Sequence, residues 1–285
     1  MNEILIIDKP KGYTSRDIVN IVGKKFKTKK VGHTGTLDPI ATGVLVVLIG
    51  KYTSLSEVIT GYDKTYEAEV ELGILTDTLD STGNILKDDK VTFTKEQIIE
   101  TLNSMLGTYE QEVPIYSAVK VNGKKLYEYA RNNEEVELPK RTVEIKNITL
   151  ISNVETINNH TKFSFRTTVS KGTYIRALIN DIAKKLNTYG TMTNLRRIKQ
   201  GNFDIKDAIT LNDLENDKYN FFNLNDCFTN DSKVEVDDEL LFRIKNGQQL
   251  KNTYNLKEVV FTYKNNIIAI YKDEENTLKM WKYLL

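Results

Sequence analysis

The residues best suited to chemistry fall in one stretch, Gly32-His33-Thr34-Gly35-Thr36-Leu37-Asp38-Pro39-Ile40-Ala41-Thr42-Gly43-Val44-Leu45. It sets a single carboxylate, Asp38, in a loop of glycines, hydroxyls and a proline just ahead of an apolar run. Glycine permits positive φ and close approach of backbone to a ligand, and Pro39 pushes the residue before it out of the helical region, so Asp38 is held extended and presented. A carboxylate is ionised at neutral pH and can attack an electrophile or steady positive charge as it develops. Rival chemistries lack their residues. Neither GxGxxG nor GxxxxGK followed by Ser or Thr occurs, and Gly50-Lys51 is followed by Tyr52, so a phosphate cradle of either kind is not expected. There is no GxSxG elbow, and a Ser-His-acid triad would have to use His33 or His160, neither with an evident partner. Those two histidines and the lone Cys227 make no spaced ligand cluster, so no metal is expected. Asp77 and Asp80, in Thr76-Asp77-Thr78-Leu79-Asp80, invite a paired-carboxylate reading. With Ser81-Thr82-Gly83 next, they read mainly as a structural Asp-rich turn.

The elements that must position Asp38 are legible on both sides of it. Ile4 to Ile7 reads as a buried strand, Lys9-Pro10-Lys11-Gly12 as a turn, and Thr14 or Ser15 as the cap of a helix whose inner face is Ile18, Ile21, Val22 and Phe26. Lys24, Lys25, Lys27, Lys29 and Lys30 follow, as either a solvated helix end or a phosphate-contacting patch. Val44 to Ile49 is continuous, short and β-branched, which predicts a strand covered on both faces that anchors the loop. Tyr66, Ala68, Val70 and Leu72 alternate with glutamates, so Tyr66 turns inward, as a core tyrosine or as one facing a ligand. Thr94 and Gln97 form a capping-box pair for a helix with Ile98, Ile99, Leu102 and Met105 as its buried stripe and Gly107 as its stop. Phe163, Phe165, Thr167 and Val169 predict another strand, and Ser170-Lys171-Gly172-Thr173 turns into a helix with Ile175, Leu178, Ile179, Ile182 and Leu186 inside. Arg176 sits in that helix's first turn, where the dipole opposes a cation; a carboxylate partner would account for it, and so would simple surface exposure. Beyond the Asn- and Asp-rich stretch from Asn212 to Asp238, short β-type runs (Val259 to Tyr263, Ile267 to Lys272, Leu278 to Leu285) predict a second unit starting near residue 230.

Composition narrows the classes. The chain has 285 residues, is 40% hydrophobic and carries forty basic against thirty-nine acidic side chains, a formal charge of +1. That is an ordinary core-forming protein and no general polycation, so any nucleic-acid contact must be local. No segment approaches the roughly 20 apolar residues that span a bilayer, and Glu3, Asp8 and Lys9 around the first apolar run do not match a signal peptide, so the cytoplasm is the expected compartment.

The Gly32 to Leu45 stretch resembles the catalytic motif of the bacterial tRNA pseudouridine synthase B (TruB) family. Further matches lie in Asp8-Lys9-Pro10-Lys11-Gly12 with Thr14-Ser15, Lys64-Thr65-Tyr66, Thr76-Asp77-Thr78, Tyr116-Ser117-Ala118-Val119-Lys120 with Gly123, Ser170 to Arg176, and Leu195-Arg196-Arg197. The resemblance implies an α+β (mixed α/β) pseudouridine synthase fold over residues 1–230, with a central, mostly antiparallel sheet flanked by helices. It further implies a small β-rich PUA-like RNA-binding module over 231–285. It implies isomerisation of uridine 55 in the tRNA T loop, with base flipping, Asp38 as the catalytic carboxylate, Tyr66 against the base and Arg176 paired with Asp38. His33 resembles the histidine that stacks within the opened loop, and the segment about 114–142 resembles a mobile RNA-gripping insertion. The matched motifs also put Lys9, Gly32, Thr34, Gly35, Thr36, Lys64, Lys120, Arg141, Tyr174 and Leu195 among residues expected to bind RNA. The reaction needs no redox step or group donor, so no cofactor is implied. The expected partner is the T-stem loop of tRNA, bound by a stand-alone monomer without a membrane or an obligate protein partner. Two alternatives remain: a tRNA-folding protein with incidental catalysis, and a sister synthase acting on another RNA. The chain departs from the family pattern at Ile40, at Asn132-Asn133, and at Gln200, where Ser is usual.

Overall fold

Continuous apolar runs in the first two long strands explain the layering. The computed structural model describes residues 1–228 and 232–285. Strands Glu3–Lys9 and Thr42–Ile49 pair antiparallel, Ile4 opposite Leu48 and Ile7 opposite Leu45. Leu5, Ile7, Leu45 and Val47 enter one core, while Ile4, Ile6, Val44 and Val46 enter another on the opposite face. An unbroken apolar run is what a strand buried on both sides requires.

From this edge the main sheet runs Glu3–Lys9, Thr42–Ile49, Gly190–Gln200, Lys64–Leu72, His160–Val169, Lys140–Leu150, Gly107–Glu112. All neighbours along this path are antiparallel except Thr42–Ile49 with Gly190–Gln200. Helices Ser15–Lys25, Lys95–Asn103 and Ile175–Lys185 pack on one face, where Ile18, Val22, Ile98, Leu102, Leu178 and Ile182 share the larger core. Thr14 with Asp17 and Thr94 with Gln97 make reciprocal capping boxes. In the Lys95–Asn103 helix the expected stripe is narrower than its spacing suggested: Ile99 points outward and is 38% exposed. A nine-residue helix against one sheet edge buries only the Ile98–Leu102 line. The lysines after the first helix face solvent or its edge, and Lys25 pairs with Asp217 at 2.6 Å.

A second sheet of five strands, ordered Lys233–Glu235, Glu258–Tyr263, Asn266–Glu274, Thr277–Tyr283, Leu250–Lys251, covers the other face of the first two strands. Val260, Ile267 and Ile270 complete that shared core, while Val259, Phe261, Ile268 and Tyr271 face a separate one with helix Asp238–Lys245. The expected division at 230/231 falls on residues 229–231 and lies outside the described residues. The segment resembling an RNA-gripping insertion forms a minimal hairpin, Lys120–Val121 with Lys124–Lys125, followed by helix Leu126–Arg131. Asn122 and Gly123 both take positive φ, the requirement of a two-residue hairpin turn.

Candidate active site

The Asp38 loop joins strand Val31–Thr34 to its antiparallel neighbour Thr42–Ile49. Contacts from distant segments and one turn bond within the loop pin it. Ser15 Oγ accepts from the Leu37 amide at 2.9 Å, the Gly12 amide donates to Pro39 O at 2.8 Å, and the Ala41 amide donates to Asp38 O at 3.0 Å. Arg197, 1% exposed, donates from Nη2 to Gly35 O at 2.9 Å and from Nε to Val44 O at 2.7 Å, bracketing the loop from both ends. Glycine is required where this happens: at Gly43, φ is +99° and a Cβ would lie 2.2 Å from Arg197 O. Gln200, fully buried, donates from Nε2 to Thr34 Oγ1 at 2.9 Å and to Ile59 O at 3.0 Å. The position where the family pattern has Ser therefore ties down the strand that enters the loop.

Arg176 meets Asp38 from the far side. The helix Ile175–Lys185 has no side-chain N-cap bond. Gln111 holds Tyr174, the residue before it, through both backbone groups, accepting from the Tyr174 amide at 2.8 Å and donating to its carbonyl at 3.2 Å. From that fixed start Arg176 extends its guanidinium to Asp38, Nε to Oδ2 at 3.0 Å and Nη2 to Oδ1 at 3.5 Å. Nη1 donates to Thr78 O at 2.8 Å and Nη2 to Tyr116 O at 3.0 Å. The Arg176 side chain is 7% exposed while that of Asp38 is 37% exposed, so one partner is a buried brace and the other is open. Asp80 is the element that local reading missed. Its Oδ1 accepts from the Thr78 and Thr82 hydroxyls and the Thr82 amide, the bonds of an Asp turn, while Oδ2 lies 3.9 Å from Arg176 Nε. The turn is structural, and it also puts a second carboxylate beside the guanidinium.

These groups open onto a cavity of about 580 Å³. Asp38, Tyr66, Arg176, Gly35, Thr36, Lys64, Arg141, Tyr174 and Leu195 all line it. Tyr66 is 8% exposed and projects from strand Lys64–Leu72 on the face the alternation assigned to it. Leu37, Tyr116, Ser117, Tyr127 and Arg197 complete much of the wall without having been singled out individually. Gly32, His33, Thr34, Lys9 and Lys120 are not in the lining. Gly32 and His33 belong to the strand leading to the loop, and burial together with Arg197 and Arg16 lowers the His33 pKa, favouring a neutral ring. Thr34 is the buried acceptor of Gln200. Lys120 is exposed on the insertion hairpin. Lys9 is fully buried, its Nζ donating to Pro10 O at 2.9 Å and Tyr13 O at 2.7 Å. Burial pushes its pKa down to about 8, an effect that the Asp38 charge opposes. Among the described residues no group of three metal-ligating side chains converges, and no helix is long and apolar enough to cross a membrane.

A carboxylate braced by a buried guanidinium, beside an inward tyrosine and in a wall otherwise rich in cations, is an arrangement able to attack an electrophile and to attract a polyanion with a planar group. Residues 23–175 match the TruB family pseudouridylate synthase N-terminal domain, and 176–226 the tRNA pseudouridylate synthase B C-terminal domain. The chain is 40% identical to the tRNA pseudouridine synthase B of Bacillus cytotoxicus over 95% of this chain and 92% of that one. It is 42% identical to that of Shouchella clausii over 94% and 92%. A chain in a solved H/ACA ribonucleoprotein bound to a substrate RNA containing 2'-deoxyuridine shares the fold, with TM-score 0.74 and 21% identity over 99% of this chain and 85% of that one. This chain belongs to the TruB family of pseudouridylate synthases.

Proposed function

We propose that the protein isomerises uridine 55 in the T loop of cytoplasmic tRNA to pseudouridine, acting as a monomer with Asp38 as its catalytic carboxylate. The observation that carries this reading is the braced, open Asp38, its Oδ2 3.0 Å from Arg176 Nε in a cavity that Tyr66 also lines. The reaction is an isomerisation: the bond from C1' of the ribose to N1 of uracil breaks, the base turns, and C1' bonds to C5. The C5 proton then leaves and N1 takes up a proton, so atoms balance without cofactor or donor. Asp38 serves the first part, by attack or by steadying charge at C1'. Tyr66 stacks on the base or assists departure of the C5 proton. Arg176 keeps Asp38 oriented. Reaching the cavity requires the base to leave its stack at a cost of a few kcal/mol, which His33, in the strand that leads into the loop, offsets by filling the opened T loop. The insertion grips the RNA backbone and the C-terminal sheet acts as the PUA-like module.

Mapping pseudouridine in bulk tRNA treated with the protein tests the substrate. Modification of the T-loop uridine is expected, and its loss in Asp38→Ala with RNA binding retained. An unmodified T loop overturns the substrate assignment. Refolding of misfolded tRNA by the Asp38→Ala variant would add a chaperone role alongside catalysis.

A further inference from the structure

The charged side chains lining the cavity are Asp38, Lys64, Arg141, Arg176 and Arg197. Asp38 and Arg176 match each other, and none of the other three makes an ion pair among the described residues. Two of them are deeply buried, Lys64 at 6% and Arg197 at 1% exposure, where an uncompensated cation is costly. They meet beside the Asp38 loop. A Cβ built on Gly35, three residues ahead of Asp38, would lie 3.2 Å from Arg197 Nη1, 3.7 Å from Gln200 Oε1 and 3.8 Å from Lys64 Cε, so the two basic side chains pack together against the loop where it borders the cavity. Each retains donor capacity. Lys64 Nζ gives two of its protons to Thr60 O and Tyr62 O, at 2.5 and 2.6 Å. Arg197 binds backbone through Nε and Nη2, which leaves Nη1, packed beside Gly35, with protons to give. Arg141 lies near the Ser170–Thr173 turn, its Nη1 3.7 Å from where a Gly172 Cβ would be.

We propose that Lys64 and Arg197, with Arg141 at the rim, form a subsite for one backbone phosphate of the RNA, a phosphodiester flanking the nucleotide whose base enters beside Asp38. This rests on the proposed function and adds to it where the backbone is held. A phosphate there supplies the missing counter-charge and accepts several charge-assisted bonds at once. It also fixes the ribose near Asp38, so that affinity gained at the phosphate positions the glycosidic carbon. Burial, reinforced by Arg197 and Lys171 and opposed by Asp63, lowers the Lys64 pKa to about 8, the penalty that a bound anion relieves.

The test is a synthetic T-arm stem-loop carrying one uncharged methylphosphonate, either 5' or 3' of the target uridine, compared with the all-phosphate loop. At one of the two positions the neutral linkage is expected to weaken binding to the wild-type protein roughly tenfold or more, the loss of a charge-assisted contact. In Lys64→Met that difference is expected to collapse to within about twofold, with the slope of log affinity against log salt smaller by about 0.7. If Lys64→Met does not fold, Arg141→Gln, at an exposed position, serves for the same cycle, and the wild-type comparison stands without any variant. Equal affinity for charged and neutral loops, with conversion of both, overturns the subsite and leaves the proposed function intact. Failure to convert the all-phosphate loop overturns the function, and the subsite with it.

Discussion

Arg176→Lys is the sharpest probe of the brace, because lysine keeps the charge and loses the fork. The guanidinium reaches both Asp38 oxygens, at 3.0 and 3.5 Å, and the carbonyls of Thr78 and Tyr116, at 2.8 and 3.0 Å. An ammonium on a flexible stem cannot make this planar set together, so it keeps one direction and abandons the others. A charge-assisted bond is worth about 1.5–3 kcal/mol and a buried neutral one about 1. Since the Asp38 side chain is 37% exposed, water replaces part of the first, and its lower end applies. With one buried carbonyl also stranded, the total is about 2–3 kcal/mol, which is roughly thirtyfold to 160-fold in rate if the geometry matters only as the glycosidic bond reacts. The assay is single-turnover release of tritium from the uracil C5 of labelled tRNA at saturating enzyme, with RNA affinity and thermal midpoint measured in parallel. The expected result is a rate lowered by that factor, with affinity within about threefold and the fold intact. A rate within about threefold of wild type would refute the reasoning, and so would a loss confined to affinity.

Three further outcomes follow from particular contacts. Asp80→Asn keeps the turn's acceptor but removes the second carboxylate 3.9 Å from Arg176; it is expected to slow the single-turnover rate about tenfold with unchanged RNA affinity, and to be non-additive with Arg176→Lys in a double-mutant cycle. Lys9 has a folded-state pKa of about 8 against an unfolded one near 10.5, set mainly by burial and modified by Asp38, Arg197 and Asp17. Between those values the unfolded chain binds more protons, so this group makes wild-type stability rise with pH across that window. Relative to Lys9→Met, urea denaturation should show the wild type gaining about 2 kcal/mol from pH 7.5 to 9.5, and a difference independent of pH would count against the buried amine. Gln200→Ala removes the bonds to Thr34 Oγ1 and Ile59 O and leaves a buried gap, for an expected loss of about 2 kcal/mol by chemical denaturation. The cost stays below the upper range because Gln200 Oε1 is itself buried without a partner. A loss under 0.5 kcal/mol would show that the strand entering the Asp38 loop is held by other means.

What could be read from the chain depended on whether the determining interactions were local. Alternation in Lys64–Leu72 and His160–Val169 assigned inward faces correctly, and Thr14 and Thr94 announced their helices through partners three residues away. The Asp38 loop announced itself through the φ demands of its glycines and proline, and Arg176 through the anomaly of a cation in a first helical turn. Asp80 was hidden by the opposite circumstance: its local turn bonds explain it fully, and only the fold reveals that its other oxygen faces Arg176. Ile99 was misplaced because helical spacing defines a stripe's direction and the neighbouring sheet defines its width. Lys9 read as the first residue of a turn. Its complete burial follows from Pro10 and Tyr13 turning their carbonyls inward to receive it.

Charge shows most clearly why composition could not locate the site. Forty cations against thirty-nine anions describe a nearly neutral chain, yet four cations and one carboxylate line the cavity. The segregation arises because Lys64, Arg141, Arg176 and Arg197 come from separate strands and a helix that meet around the Asp38 loop. A protein that bound RNA through diffuse surface charge would lose affinity broadly as salt rises, with contributions spread over many lysines. On the proposed function and phosphate subsite, the uncompensated charge is concentrated where the backbone must bend to deliver a flipped base, so the electrostatic attraction that favours the RNA also selects its distorted form. Binding energy placed there acts on the conformation that reacts, which is where it contributes to rate as well as to affinity.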